Sequence, residues 1–330
     1  MNAMFDYACQ KARSLMYREI RNFFDARDYL EVFTPTLSAS LIPEPTIQNF
    51  STRFVNEFEG NLDLYMIPSP EIFMKQLLAS GSPSIYQIST CFRNSEQLGH
   101  IHNPEFSMLE YYTLGYTEMD SISLTEDLVR ALSRPETPSW ARPPFTIMSV
   151  KEAVKEYSGI DLDTVQEYEK LRAEAEARNL YVPEGESWDD TFNRIFITYV
   201  ETSLPSDRPV VLTDYPYQID CLAAKYPDAP YRHRWEMYMN GTEVANCYME
   251  ETSPEVTRVY YEKEYERLVR ERKGTLLPIP KADMSFSDLA IPPSSGVAIG
   301  LDRLLMCILG KEEITPLLLF PLSDIIHVGP

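Results

Sequence analysis

Two glutamates, Glu236 and Glu243, flank the dipeptide Asn240-Gly241 in the stretch WEMYMNGTEVANCYME. Asn-Gly between two alternating runs signals a two-residue β-hairpin turn, because both positions accept a positive φ. Such a turn sets Glu243 opposite Tyr238 and puts Glu236 on the same face, diagonal to Glu243. Carboxylates held that close repel unless they share a proton or a cation. An oxygen-only pair suits Mg²⁺, above all one already carrying phosphates. A solvated acidic hairpin is the other reading of the same residues. Beyond Glu243, strict alternation turns Asn246 and Glu250 to the opposite face. Only a bulge near Ala245 brings all four residues to one site.

A second group lies in CFRNSEQLGHIHNPEFSMLEYY, residues 91–112. With a period of two, Gln87, Ser89, Cys91 and Arg93 share one strand face, and Phe106, Met108, Glu110 and Tyr112 share another. If the two faces coincide, they form a concave ligand site, since buried charges need partners. The alternative is a solvent-facing sheet side with a salt bridge. In a third group, SSGVAIGLDRLL, Gly296 and Gly300 flank a short apolar strand that turns directly into a helix. Arg303 falls in the first helical turn, where free N–H groups and the helix dipole favour an anion. That signal gains weight only beside a carboxylate pair able to hold Mg²⁺ and a nucleotide. His100 and His102 lack zinc-site spacing, and His102 by itself reads as structural.

Elements that hold these groups follow from periodicity. Ala12, Leu15, Met16, Ile20, Phe23 and Phe24 mark an amphipathic helix over 8–26, and an extended piece ends at Pro35. LDLYMI (62–67) alternates as a strand. The following helix has Ser69 as N-cap, Pro70 at its first position, Glu71 in its first turn, a buried stripe of Ile72, Phe73, Leu77 and Leu78, and Gly81 at its end. Residues 84–93 and 104–113 read as strands. Residues 118–133 and three stretches between 149 and 203 read as helices, and the block at about 117–206 reads as a mostly helical insertion in a single domain spanning 1–330. Residues 210–216, 235–239 and 242–250 return to strand character, and 255–273 is a charged helix. Strands toward both ends and helices between them predict an α+β fold around an antiparallel sheet.

At 330 residues the chain can bury a substantial core. Its net charge of −20 argues against extended polynucleotide contact, which calls for excess Lys and Arg. No apolar run is long enough to span a membrane, and no signal peptide opens the chain. Five cysteines, at 9, 91, 221, 247 and 307, lack metal-ligand spacing, which makes a reducing cytoplasm the simplest location.

Taken in order, the three groups resemble the motifs of class II aminoacyl-tRNA synthetases, specifically the lysyl branch. TPTL after the first helix is similar to motif 1, FRN…HNPEFSMLEYY to motif 2, and GVAIGLDRL to motif 3. SPEIFMKQLL and the series Glu243, Asn246, Glu250 also fit the lysyl pattern, and the likeness covers roughly residues 10–310. The motif 1 helix begins almost at Met1, with no anticodon-binding domain before it. In this the chain resembles the truncated family that ligates lysine to translation elongation factor P. Ala298, where lysyl-tRNA synthetases usually have Gly, leans the same way and is associated in that family with a preference for (R)-β-lysine.

The resemblance implies a class II catalytic fold, ATP and Mg²⁺, and a homodimer formed through the motif 1 helix. It implies that Arg93 holds the amino acid carboxylate and the α-phosphate. Phe106 would stack on adenine, Arg303 would clamp it and reach the γ-phosphate, and Glu236 and Glu243 would bind Mg²⁺. Glu71 would pair with the amino group, and Tyr112 and Glu250 would take the ε-ammonium. Glu110, Asn246, Ser69, Ala298 and Gly300 would complete the amino acid pocket, and Glu96, His102 and Asn103 would join the ATP contacts. The chain departs from the family at Ser95, where Glu is usual, and in a motif 2 loop one residue longer, with His100 and Ile101 in place of the second arginine. Cys247 replaces a usual Gly and is expected to crowd the pocket wall. A ligase with another acceptor, or a weakened paralogue that binds lysine or adenylate as a regulator, stand as alternatives.

Overall fold

The first amphipathic run folds as α1 (Tyr7–Asp25), capped by Asp6, whose carboxylate accepts from the N–H groups of Ala8 and Cys9 at 3.0 and 3.1 Å. The structure, a computed structural model, describes residues 6–95, 99–275 and 279–326, without the side chains of Phe286 and Ile325. After α1 come the short strands β1 (Leu30–Glu31) and β2 (Leu37–Ser38), then β3 (Ser51–Phe54) and β4 (Leu62–Met66). Helix α2 (Glu71–Ala79) and the long strands β5 (Ile85–Phe92) and β6 (Glu105–Leu114) follow, and then α3 (Glu118–Leu132). The central block holds β7 (Thr146–Ser149), α4 (Val150–Ser158), α5 (Tyr168–Ala177) and α6 (Trp188–Ile195). Strands β8 (Val210–Pro216), β9 (Tyr231–Met239) and β10 (Thr242–Met249) lead into α7 (Pro254–Arg272). The described chain closes with β11 (Ser294–Gly300), α8 (Leu301–Ile308) and α9 (Leu322–Ile326).

Eight strands form one sheet in the order β1-β5-β6-β11-β10-β9-β8-β7, while β2, β4 and β3 make a small second sheet. Every pair inside the large sheet is antiparallel, and only the edge pairs β1–β5 and β7–β8 are parallel. β11 lies between β6 and β10 although it comes last in the sequence, and this crossover joins the three motif-bearing strands.

One face of that sheet carries the main core, and the other carries the polar side chains together with smaller apolar clusters. Tyr86, Leu109, Tyr111, Trp235, Met237, Val297 and Ile299 point into the main core with Ile20 and Phe24 of α1, Leu128 of α3 and Leu304 of α8. Each such buried side chain contributes about 1.5–3 kcal/mol relative to exposure. A second core forms around α4, α5 and α6, where Val150, Val154, Leu171, Phe192 and Ile195 pack on Val210 and Leu212 of β8 and on Tyr238. Helix α3 belongs to the main core instead, and the Trp235 indole N–H fixes its first turn by donating to the Glu118 carbonyl at 2.9 Å.

Two expectations about α2 need correction. The helix starts at Glu71, with Pro70 as its cap residue, and the Ser69 hydroxyl accepts from the Glu71 N–H at 3.1 Å. Its buried side is Ile72, Met74, Lys75 and Leu78, not Phe73 and Leu77. A lysine takes a core position there because carboxylates surround its ammonium. The hairpin turn forms with φ of 48° at Asn240 and 74° at Gly241. The register slips by one residue between Glu243 and Ala245, the bulge needed to turn Asn246 toward the face of Glu243.

Candidate active site

The polar face of the sheet is built from two cross-strand rows. In the first, Gln87, Glu110, Ala298, Asn246 and Glu236 stand side by side across β5, β6, β11, β10 and β9. In the second, Ile85, Tyr112, Gly296, Tyr248 and Arg234 do the same. The faces of β5 and β6 therefore coincide, and the solvent-facing reading of this strand pair falls away, for Gln87, Glu110 and Tyr112 are all buried.

At one end these rows floor a cavity of about 100 Å³ lined by Glu44, Ser69, Glu71, Glu110, Tyr112 and Glu250, among others. Tyr112 donates to Glu110 Oε1 at 2.7 Å, whereas buried Glu110 Oε2 and Asn246 Oδ1 have no hydrogen-bond partner. Lys75 Nζ approaches from beneath, 2.5 Å from Glu71 Oε1 and 2.6 Å from Glu250 Oε2. Burial, with Glu71 adding to it, pushes the Glu110 carboxyl up to about 8. Burial also raises Glu250, with Lys75 opposing, and raises Glu44 together with the charge of Glu71. For Lys75 burial works against the ammonium, but Glu250 and Glu71 outweigh it and hold its pKa above that of an ordinary lysine. The cavity thus holds more carboxylates than cations, and its raised acids would ionise beside an incoming ammonium group. Gly296 is required beneath it: a Cβ there would come within 2.5 Å of both Glu250 Oε1 and the Tyr112 ring.

Arg93, Met108, Asn246 and Ala298 line this cavity and also a larger cleft of about 280 Å³. Phe106, His102, Glu243, Gly300 and Arg303 line the larger cleft as well. The Arg93 guanidinium lies 5.3 Å from the Phe106 ring centroid, and its buried Nε has no partner. Arg303 is braced by donating to the carbonyls of Ile101 at 3.2 Å and Glu243 at 3.0 Å. Asp302 beside it accepts from the Ser107 N–H at 2.7 Å and pairs with Arg13 at 2.6 Å, which ties α1, β6 and α8 around the cleft. Gly300 lines this cleft rather than the amino acid cavity, and it is not sterically demanded, since a Cβ would meet nothing closer than 3.8 Å.

The carboxylate pair differs from its expected form. Glu236 Oε2 accepts from both Tyr215 and Tyr238 at 2.6 Å, and Oε1 accepts from Arg234 at 2.5 Å. Three donors thus hold Glu236, and Oε1 keeps one lone pair with which it could meet a metal ion. Glu243 lies in the cleft wall, raised by burial and by Glu236 while Arg303, Arg234 and Arg93 oppose. Among the described residues no group of three His, Cys, Asp or Glu side chains could hold an ion alone.

The motif 2 loop brings further changes. Asn103 lines the cleft and also anchors the loop, donating to the Glu105 carbonyl at 2.6 Å and accepting from the Leu322 N–H at 3.2 Å. His102 faces the cleft, and Glu96 lies outside the described residues. Cys247 does not crowd the pocket. The bulge that turns Asn246 inward sends its neighbour to the opposite face, where Cys247 Sγ lies 3.1 Å from Ser121 Oγ in the main core. Lys75, Glu44, Arg234 and Tyr215 were missed from sequence, and Gly296 and Tyr238 were named there without these contacts. Glu71 and Lys75 at i and i+4 look like a surface ion pair, and only the apolar residues around Lys75 hint otherwise.

This sheet, with a nucleotide-sized cleft opening into a smaller acidic cavity across motif-bearing strands, defines a class of enzymes. The model of the family "tRNA synthetases class II (D, K and N)" matches residues 7–324, and the chain belongs to that family. Similar chains include the elongation factor P (R)-β-lysine ligases of Hamiltonella defensa, 31% identical over 94% of each chain, and of Yersinia enterocolitica, 34% identical over 94% of each. The lysine–tRNA ligase of Clostridium tetani is 30% identical over 96% of this chain, which spans 64% of that ligase.

Proposed function

We propose that this chain is an ATP-dependent, AMP-forming ligase that activates lysine or (R)-β-lysine and transfers it to a lysine side chain of translation elongation factor P. One observation carries the choice of amino acid within a D, K and N family: the acidic cavity of Glu44, Glu71, Glu110 and Glu250 opens at Arg93 into the larger cleft. A diamino acid offers two ammonium groups to those carboxylates and its carboxylate to Arg93. Side chains of aspartate or asparagine would leave buried charge unpaired, at a cost of about 1–3 kcal/mol or more. The likeness to elongation factor P ligases over nearly the full length of both chains supports the acceptor.

In this reading the substrate carboxylate attacks the α-phosphorus of ATP and displaces pyrophosphate, with Arg93 between the two reactants opposing the negative charge that develops there. Phe106 and Arg303 offer a stacking face and a cation to the nucleotide. The acceptor amine then attacks the acyl carbon and displaces AMP, a step that depends on positioning. Mg²⁺, when bound, would neutralise phosphate charge. Glu243 fits it, being a cleft-facing carboxylate, provided the phosphates supply the other oxygens.

The same reading makes the helical block at about 117–206 an insertion in one catalytic domain, supported for its later part by the core that α4, α5 and α6 form against β8, while α3 packs in the main core. Five free, buried cysteines fit a cytoplasmic setting, and among the described residues no helix is long and apolar enough to cross a membrane. Phe33, 80% exposed after the motif 1 helix, favours a homodimer that covers it. Lysine-dependent ATP–pyrophosphate exchange, followed by mass spectrometry of elongation factor P incubated with enzyme, ATP and each lysine isomer, tests the assignment. Exchange together with aminoacylated factor is the expected result. Exchange without modified factor would refute the acceptor, and no exchange with either isomer would refute the activity.

A further inference from the structure

We propose that Lys75 is a positioning residue for substrate selection: a built-in ammonium that orients Glu71 and Glu250 from behind the cavity wall, so that the substrate's own ammonium groups meet the oxygens left over. This rests on the lysine reading above and assigns a role to a residue behind the cavity wall.

The Lys75 side chain is 1% exposed, and it reaches both carboxylates at hydrogen-bond distance although they come from α2 and from the end of β10. Its contact with Glu250 uses Oε2, while Oε1 of the same carboxylate lies over Gly296 beside the Tyr112 ring. Glu110 is treated alike, with Oε1 held by Tyr112 and Oε2 left without a partner. Lys75 thus donates to one oxygen of Glu71 and ion-pairs with one oxygen of Glu250, and Tyr112 holds one oxygen of Glu110.

Charge explains why the donor behind Glu250 is a lysine and not a serine or an amide. Four carboxylates line the cavity, against Arg93 at its mouth. Buried acids without a cation take up protons, and a neutral acid no longer attracts an ammonium. Lys75 opposes burial at Glu250. Removing an ion partner inside a protein also leaves the remaining charge uncompensated. With Lys75 in place, Glu250 is held closer to its ionised form than burial alone would leave it.

Lys75→Met should raise KM for lysine in pyrophosphate exchange by about tenfold or more at pH 7 while KM for ATP stays within about twofold. Its lysine KM should recover toward pH 9, because Glu250 without its cation ionises later. The acid limb of the lysine profile thus moves up by about one pH unit or more. Lys75→Arg keeps a cation and should leave that limb where the wild type has it. Circular dichroism checks folding, and Lys75→Gln replaces the methionine variant if the latter does not fold. A limb that stays put in the neutral variant, or moves equally in Lys75→Arg, overturns the proposal. Absence of exchange in the wild type would instead strike the assigned function.

Discussion

Glu110 and Glu236 stand in the same cross-strand row, both buried, yet the protein treats them in opposite ways. Glu236 accepts at both oxygens, from Tyr215, Tyr238 and Arg234, all from β8 and β9. Glu110 is held by Tyr112 at one oxygen and left bare at the other. A buried carboxylate with donors at both oxygens is a fixed part of the scaffold. One kept short of partners stores a demand that a ligand can meet, and the folded protein bears the cost while the site is empty. Along this row the sheet passes from recognition at β6 to support at β9, with Ala298 and Asn246 between.

The sharpest way to break that contrast is at the point where cavity and cleft meet. Arg93→Ala should lower kcat/KM for lysine-dependent pyrophosphate exchange by about 10³-fold, by analogy with loss of a charge-stabilising donor; a loss below tenfold would remove Arg93 from the chemistry. Next comes Glu110→Gln, expected to raise lysine KM by about 10–100-fold with little change in ATP binding.

This variant also tests the stored demand directly. The folded pKa of Glu110, about 8 against 4.5, means that the native state binds more protons than the unfolded state between those values. Stability of the ligand-free wild type should therefore fall as pH rises from about 4.5 through 8, and Glu110→Gln should lack this component. Thermal melts at several pH values, with and without lysine, would show it, and parallel profiles for the two proteins would contradict it.

On the supporting side, Tyr215→Phe should cost about 1 kcal/mol of stability and change exchange less than tenfold. A larger loss of activity than Glu110→Gln would invert the comparison. Smallest for function is Cys247→Ala, which should lower the melting temperature and leave lysine KM unchanged, since the thiol packs in the main core.

Much of this was legible in the residues. Alternation on either side of Asn240-Gly241 located the β9–β10 hairpin, and the need to bring Asn246 round to Glu243 located its bulge. Less legible were contacts between elements far apart in the chain. Lys75 looks like half of a surface i,i+4 pair until Glu250, 175 residues away, is set against it. Glu236 looks free until β8 delivers Tyr215. Cys247 seemed to crowd the pocket because the same bulge was not followed one residue further.

By itself, then, the sequence determined the periodicities, the turn, and the residue types available on each strand face, since φ preferences and side-chain alternation are properties of neighbouring residues. The crossover that sets β11 between β6 and β10 was decided only in the tertiary structure. So were the partners of each buried charge, because a charge in a low-dielectric interior is governed by whatever lies within a few ångströms, from any part of the chain.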